Sequence, residues 1–290
     1  MEKKIDRRGF IRTSGLAALG MAGCGSLIGA HGAAKGDAEK PADAEGMTYR
    51  TNLRNGDKVS ILGYGCMRWP MTKDENGKDI IDQETTNRLV DYALEHGVNY
   101  FDTAPMYIQA MSETATGIAL KRHPRESYFI ATKLSNHGNP TWEKSLEMYR
   151  RSFERLQTDY IDYYLLHNVG SGKKFKERFL DNGVLDFLVE ERKAGRIRNL
   201  GFSFHGQKEG FDEILAYHDK YHFDFVQIQL NYLDWKHADG WNCNADYLQS
   251  ELDKRGIPSI IMEPLLGGRL AKVPQHIADR LKERDPQNSV

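Results

Sequence analysis

From residue 61 onward, short runs of β-branched and aromatic residues alternate without interruption with amphipathic stretches, and nothing else in the chain limits its fold so strongly. The runs "ILGYG", "VNYFDT", "SYFIATKL", "YIDYYLLHN", "IRNLGFSF", "DFVQIQLNY" and "PSIIMEP" read as strands. Each leads into a helical stretch. The first covers 82–95 and stops at His96-Gly97 with the glycine as C-cap. The next covers 112–122 with Ser112 as N-cap, followed by 141–156, 184–195, 209–220, 245–256 and a last helix beginning near Pro274. In 141–156 the residues Trp142, Leu146, Tyr149, Phe153 and Leu156 recur at three- and four-residue spacing, the stripe a helix buries against a sheet. Ahead of the first unit, "TYRTNL" and "KVSIL" flank Asn55-Gly56, a pair that supplies the positive φ of a hairpin turn.

Seven strand-helix units with no reversal predict an α/β fold, a (β/α)8 TIM barrel with an N-terminal β-hairpin, lacking the eighth unit. A dinucleotide-binding open sheet is disfavoured, because its G-x-G-x-x-G opens a helix directly after the first strand, whereas "LGYGCMRWPM" runs into a polar loop. The sequence reaches Val290 as a further helix begins, so the barrel over 47–290 is expected to be incomplete, either a fragment or a truncated product. In the truncated case a non-catalytic barrel that binds a ligand or partner is the alternative to an enzyme.

Lys and Arg number 40 against 41 Asp and Glu, interspersed, without the basic stripe that binding a phosphate backbone needs. Nucleic acid is therefore not an expected partner, and a small molecule is. At the N-terminus, "DRRGFIRTSGLAALGMAGC" places arginines before a Gly- and Ala-rich run too short and too weakly apolar to span a membrane. It reads as a signal peptide over 1–34. Arg7-Arg8-Gly9-Phe10 resembles a twin-arginine export motif, and Met21-Ala22-Gly23-Cys24 resembles a lipobox, so Cys24 leaves with the leader or carries a lipid anchor. The expected location is periplasmic or membrane-anchored, reached through the twin-arginine machinery. Residues 35–46, "KGDAEKPADAEG", read as a solvated linker.

Three cysteines are too few for a disulfide framework or an iron–sulfur cluster, and Cys66 and Cys243 lack metal-ligand spacing. The histidines are scattered and no H-x-H ends a strand, so no metal is expected.

In a parallel barrel the reactive groups stand at the carboxyl ends of strands and in the loops that follow. The second strand ends in Asp102, with Tyr107 in the loop beyond; the third ends in Lys133 and the fourth in His167. Singly, each has a structural reading: a turn cap, a packed ring, a solvated cation, a core imidazole. Together they have one chemistry. A carbonyl reduced by hydride must take up a proton, and a phenol of ordinary pKa about 10 is a reluctant donor near neutrality. An adjacent ammonium favours the phenolate, and a carboxylate holds that ammonium in place and charged. A histidine N–H would orient the substrate carbonyl and stabilise charge growing on its oxygen.

The segments "YFDTAPMY", "ATKL", "DYYLLHN", "NLGFS" and "VQIQLNY", in this order, resemble the aldo-keto reductase family, NADPH-using barrels with an Asp-Tyr-Lys-His tetrad, over about residues 47–274. "LGYGCMRWP" and "GFSFHG" are most similar to a bacterial subgroup that often carries a ferredoxin-like module after the barrel; the cysteines for it are absent here, so an iron–sulfur cluster is expected only if a module follows residue 290. The resemblance implies NADPH-dependent reduction of an aldehyde or ketone, with catalytic Asp102, Tyr107, Lys133 and His167 and with Tyr107 as general acid. It implies nicotinamide contacts at Asn168, Ser203 and Gln227, although Phe204 stands where many members have Asn after the serine. Backbone around Gly65, Cys66 and Met67 would line the ribose, and Glu263, Pro264, Leu265, Gly267 and Arg269 fall in the loop similar to the family's pyrophosphate loop. Trp69, Met106, Phe204, His205, Tyr232 and Trp235 are the candidates for an aromatic pocket that takes an apolar carbonyl compound.

Overall fold

The computed structural model describes residues 46–287, apart from Leu53. The leader with Arg7, Arg8 and Cys24, and all of the linker except Gly46, lie outside the described residues. Strands β1 (Tyr49–Thr51) and β2 (Lys58–Ser60) form the expected antiparallel hairpin, with Gly56 at φ +79° in its turn. Seven parallel strands follow: β3 (Tyr64–Gly65), β6 (Tyr100–Asp102), β7 (Phe129–Leu134), β8 (Ile161–Val169), β9 (Ile197–Phe204), β10 (Phe225–Gln229) and β11 (Ser259–Met262). They lie side by side in chain order, with β3 and β11 at the two edges. Among the described residues no strand pairs with the outer side of either edge. None of the described helices is long and apolar enough to cross a membrane.

Between the strands run α1 (Gln83–Glu95), α2 (Ser112–Leu120), α3 (Trp142–Leu156), α4 (Gly172–Phe175), α5 (Val184–Lys193), α6 (Lys208–Leu215), α7 (His218–Tyr221), α8 (Asp234–His237) and α9 (Ala245–Lys254), and α10 (Gln275–Arg284) follows β11. The expected helix over 209–220 is two pieces, α6 and α7, and α4 runs on into a π-helical segment, Lys176–Leu180. Ser112 does not cap α2. Met111 occupies the cap position, and the Ser112 hydroxyl donates instead to the Cys66 carbonyl at 2.7 Å. The stretch after β3, expected as a polar loop, holds a second hairpin of β4 (Met71–Lys73) and β5 (Asp79–Ile81). Its turn is another Asn-Gly, with Gly77 at φ +76° and the Asp74 carboxylate accepting from the Asn76 and Lys78 amides.

The sheet curls. Tyr100 on β6, Tyr163 on β8 and Phe225 on β10 share one buried cluster with Ala131, Leu165 and the flanking Val59, Phe129 and Ile260. Ring centroids stand 5.2 Å apart for Tyr100–Tyr163 and 5.1 Å for Tyr163–Phe225, although another strand intervenes in each case. A flat sheet keeps strands two places apart nearly 10 Å from each other. The N-terminal hairpin closes one end of this interior, where the Tyr163 hydroxyl donates to Asp57 at 2.8 Å and the Asn55 amide donates to the Asn199 side-chain oxygen at 2.7 Å. Outside the sheet, Val90, Ala93, Ala119, Leu120, Ile130 and Leu156 pack helices α1, α2 and α3 onto the strands.

Near that closed end Asp162 is fully buried. It accepts from Arg125 at 2.5 Å, from Arg198 at 3.1 Å and from the Ile130 amide at 2.9 Å. Removing this buried carboxylate leaves the Ile130 amide without its acceptor and takes the anion from two arginines. Asp162→Ala is expected to cost about 3–5 kcal/mol of stability, measured as a lower urea midpoint.

Candidate active site

Side chains alternate along a strand, so the residue two places beyond an interior one also faces inward. That rule builds the site. Asp102 stands above Tyr100 on β6, Lys133 above Ala131 on β7, His167 above Leu165 on β8, Ser203 above Gly201 on β9, and Gln227 above Phe225 on β10. The five therefore share the end of the interior opposite the hairpin. Contact between them confirms it: the Gln227 amide donates to Asp102 at 3.1 Å, although β10 lies four strands from β6.

Lys133 is 1% exposed. Its ammonium donates to the Asp102 carboxylate and, at 2.8 Å, to the Thr103 carbonyl, and it lies 5.1 Å from the centre of the Tyr107 ring. Burial favours the neutral amine, but Asp102 and Tyr107 together outweigh it and hold Lys133 above the ordinary lysine range. Tyr107 responds in the opposite sense to the sequence-based expectation. Burial is the larger influence and raises its phenol above the usual value, against the lowering pull of Lys133. The hydroxyl is thus protonated at neutral pH, the state a proton donor needs. The chain beyond Tyr107 turns sharply, with Ile108, Gln109 and Ala110 at φ +50°, +51° and +68° before α2 begins. Three successive left-handed residues, none a glycine, are costly and are held here by the surrounding fold.

His167 lies edge-on to Tyr107, with ring centroids 5.9 Å apart. Its Nδ1 is 2.5 Å from the Ser135 hydroxyl. With the imidazole proton on Nε2, Ser135 donates to Nδ1 and Nε2–H is left to donate. Burial, then Lys133, His137, Arg178 and His205, push the His167 pKa down to about 2, so the ring is neutral. The Ser203 hydroxyl accepts from the Asn168 amide at 2.8 Å, and Asn168 itself is exposed with φ +48°.

Beyond β11 the exposed residues Glu263, Pro264, Leu265 and Arg269 surround a left-handed run of Leu266, Gly267 and Gly268 at φ +48°, +63° and +93°. A Cβ at Gly267 would lie 3.9 Å from the Arg68 guanidinium, and one at Gly268 would meet nothing within 4 Å. Within the run the Leu266 and Gly268 amides donate to the Glu263 and Leu265 carbonyls, each at 2.9 Å. Gly65 and Met67 are exposed on the neighbouring side, and Cys66 is buried with its thiol pushed up to about 12 by burial.

The candidate pocket residues separate into two groups. Met106 and Tyr232 are exposed on loops after β6 and β10, and Trp235 is exposed on α8. His205 is partly buried at the end of β9, and burial lowers its pKa. Trp69 and Phe204 do not line the opening. Trp69 stacks on Tyr64 at 5.0 Å and donates its indole N–H to Thr116, and Phe204, one place out of step with inward-facing Ser203, packs on Phe211 of α6 at 4.8 Å. Sequence reasoning missed Thr103, Ser112 and Ser135. Ser135 shares the inward parity of Lys133 and could have been found from it. The Ser112 hydroxyl, 2.8 Å from the Thr103 hydroxyl, needs the fold to be seen. Among the described residues no group of three His, Cys, Asp or Glu side chains could hold a metal ion.

A parallel (β/α) wall with an Asp, a Tyr, a Lys and a His gathered at one end of its interior defines a class of barrel proteins. The chain belongs to the Aldo/keto reductase family, whose profile matches residues 61–289. It is 36% identical over 156 residues to Probable aldo-keto reductase 1 of Glycine max, covering 51% of this chain and 42% of that protein. It is 33% identical over 158 residues to an aldo-keto reductase of Mycolicibacterium smegmatis, covering 54% and 50%. The matches thus span half or less of these curated relatives. Among solved structures, an aldo-keto reductase of Bacillus halodurans in its holo form superposes with a TM-score of 0.62 at 26% identity, over 79% of this chain and 70% of that one. An aldo-keto reductase of Klebsiella pneumoniae in complex with NADPH shares the fold with a TM-score of 0.59 at 21% identity, over 81% and 77%.

A neutral His167 has a consequence for acid stability. Its folded pKa lies below the ordinary 6.5, so below that pH the unfolded chain binds a proton that the native state refuses. Stability is then lost as pH falls from 6.5 toward about 2. A His167→Gln variant should show a shallower acid decline in urea midpoint, and 15N NMR of labelled histidine should find His167 neutral on the acid side of 6.5.

Proposed function

We propose that the protein reduces an aldehyde or ketone to the alcohol at the expense of NADPH, with Tyr107 as the general acid. The observation that carries this reading is the buried Lys133 ammonium, fixed by Asp102 and set against the Tyr107 ring. NADPH, when bound, supplies the hydride. Asn168, Ser203 and Gln227 would hold its nicotinamide, the Gly65-Cys66-Met67 backbone its ribose, and the turn over 263–269 its pyrophosphate, with Arg269 and Arg68 as nearby cations. The preference for NADPH over NADH rests on family resemblance and on the Klebsiella relative's complex.

The chain's own groups then carry the proton. His167, neutral, donates from Nε2 to the substrate carbonyl oxygen and draws charge toward it. Tyr107 gives its hydroxyl proton to that oxygen, closing the O–H bond of the alcohol and leaving a phenolate. Lys133 lies where it stabilises the phenolate, and Asp102 keeps that charge from being lost to burial. Solvent restores the tyrosine proton. Met106, Tyr232 and Trp235 give the mouth an apolar rim suited to an apolar carbonyl compound. The arginine pair at 7–8 and the lipobox-like segment at 21–24 support an exported enzyme.

Tyr107→Phe removes only the proton donor. Turnover of an aromatic aldehyde should fall by about 10²–10⁴-fold, while NADPH binding, followed by fluorescence quenching, is retained. Equal turnover by the variant, or no NADPH binding by the folded wild type, would overturn the reading.

A further inference from the structure

Beneath the end of β8 lies a guanidinium, that of Arg178, only 5% exposed and with no carboxylate paired to it among the described residues. A buried cation without an anion is costly, so it must be held by other means. Arg178 spreads its donors over three acceptors: Nη2 to the His167 carbonyl at 2.8 Å, Nη1 to the Asn168 carbonyl at 3.0 Å, and Nε to the Asn136 side-chain oxygen at 3.2 Å. Its charged carbon lies 4.5 Å from the centre of the Phe179 ring, a cation–π contact. Burial lowers its pKa to about 10, which still leaves it charged at neutral pH.

The backbone around it is unusual in two places. Arg178 belongs to the π-helical segment, closed by the Asp181 amide on the Lys176 carbonyl five residues back at 2.9 Å. Such wide turns are uncommon and concentrate at functional sites. Facing it, Asn168 holds a left-handed φ of +48°, at a cost for a residue other than glycine. Asn168 is clamped on both sides, its amide by Ser203 and its carbonyl by Arg178. Two parallel N–H donors of one planar group fix two successive carbonyls together, which a lysine ammonium at the same place could not do.

We propose that Arg178 is a positioning residue, whose fork sets the backbone of His167 and Asn168 and so fixes where the His167 imidazole stands. The inference rests on the reading of His167 as the carbonyl-orienting group. The charged or titratable groups facing His167 are Lys133 on β7, His137 in the loop after it, Tyr107 beyond β6, His205 after β9, and Arg178 itself. His137 stands edge-on at 5.4 Å, and burial followed by Arg178 lowers its pKa too. Arg178 is the one permanent cation among them that also bonds the His167 backbone.

Two substitutions separate geometry from charge. Arg178→Lys keeps the charge and loses the fork; Arg178→Gln loses the charge. The readouts are the 15N NMR titration of His167 in the free protein, the melting temperature, the NADPH Kd, and kcat and KM for an aromatic aldehyde. In Arg178→Gln the proton affinity of His167 should rise while burial keeps the ring neutral at neutral pH, and kcat should fall about tenfold or more through loss of the fork. In Arg178→Lys the His167 titration should match wild type while kcat still falls. A folded Gln variant with kcat unchanged overturns the proposal. Should the Gln variant not fold, the Lys variant decides: a lower kcat at wild-type titration supports the fork, and an unchanged kcat overturns it. A wild type without reductase activity, in which His167 still shifts in Arg178→Gln, would reject the reductase reading and keep the clamp.

Discussion

A single buried positive charge organises this protein. The Lys133 ammonium is nearly inaccessible to water, and an isolated ammonium there would neutralise or pull out of the fold. It survives because Asp102 sits across from it on β6 and the Thr103 carbonyl accepts beside it. Asp102 is steadied in turn by Gln227 from four strands away, a contact only a curled sheet allows. Thr103, Ser112 and the Cys66 carbonyl join hydroxyl to hydroxyl to backbone, tying the end of β3 to the same point. The curvature of the wall and the chemistry at its open end are therefore one arrangement.

Burial, with that charge as the second influence, sets the state of its neighbours. Burial and then Lys133 keep the His167 imidazole neutral, and with its proton on Nε2 the Ser135 hydroxyl donates to Nδ1. Tyr107 keeps its proton because burial outweighs the ammonium's pull. A phenol protonated at rest, with a cation poised to receive its conjugate base, is the polarity a carbonyl reduction requires. The reverse balance, a phenol already ionised by Lys133, would have favoured alcohol oxidation from the resting state.

Much of this was readable from the amino acids because strand parity is rigid. Tyr100 and Asp102, Ala131 and Lys133, and Phe225 and Gln227 keep a two-residue step, so knowing which face is interior locates the reactive groups. Phe204, expected in the pocket, is instead the last residue of β9 and turns outward onto α6, out of step with Ser203. Trp69 was misplaced for another reason: the β4–β5 hairpin after it was not anticipated, although Asn76-Gly77 carries the turn chemistry that revealed Asn55-Gly56. The left-handed run at 108–110 and the π-helical segment around Arg178 had no local signal. Both are imposed by tertiary contacts that override local preference, and both border the site.

In the proposed reduction Tyr107 gives up its proton beside a charged Lys133. That proton transfer is tested most directly by following NADPH consumption with an aromatic aldehyde from mildly acidic to alkaline pH under saturating cofactor. The expected rate is flat through neutrality and falls on the alkaline side as the phenol ionises. A rate that climbs with pH through neutrality, as a phenolate-dependent step would give, contradicts it.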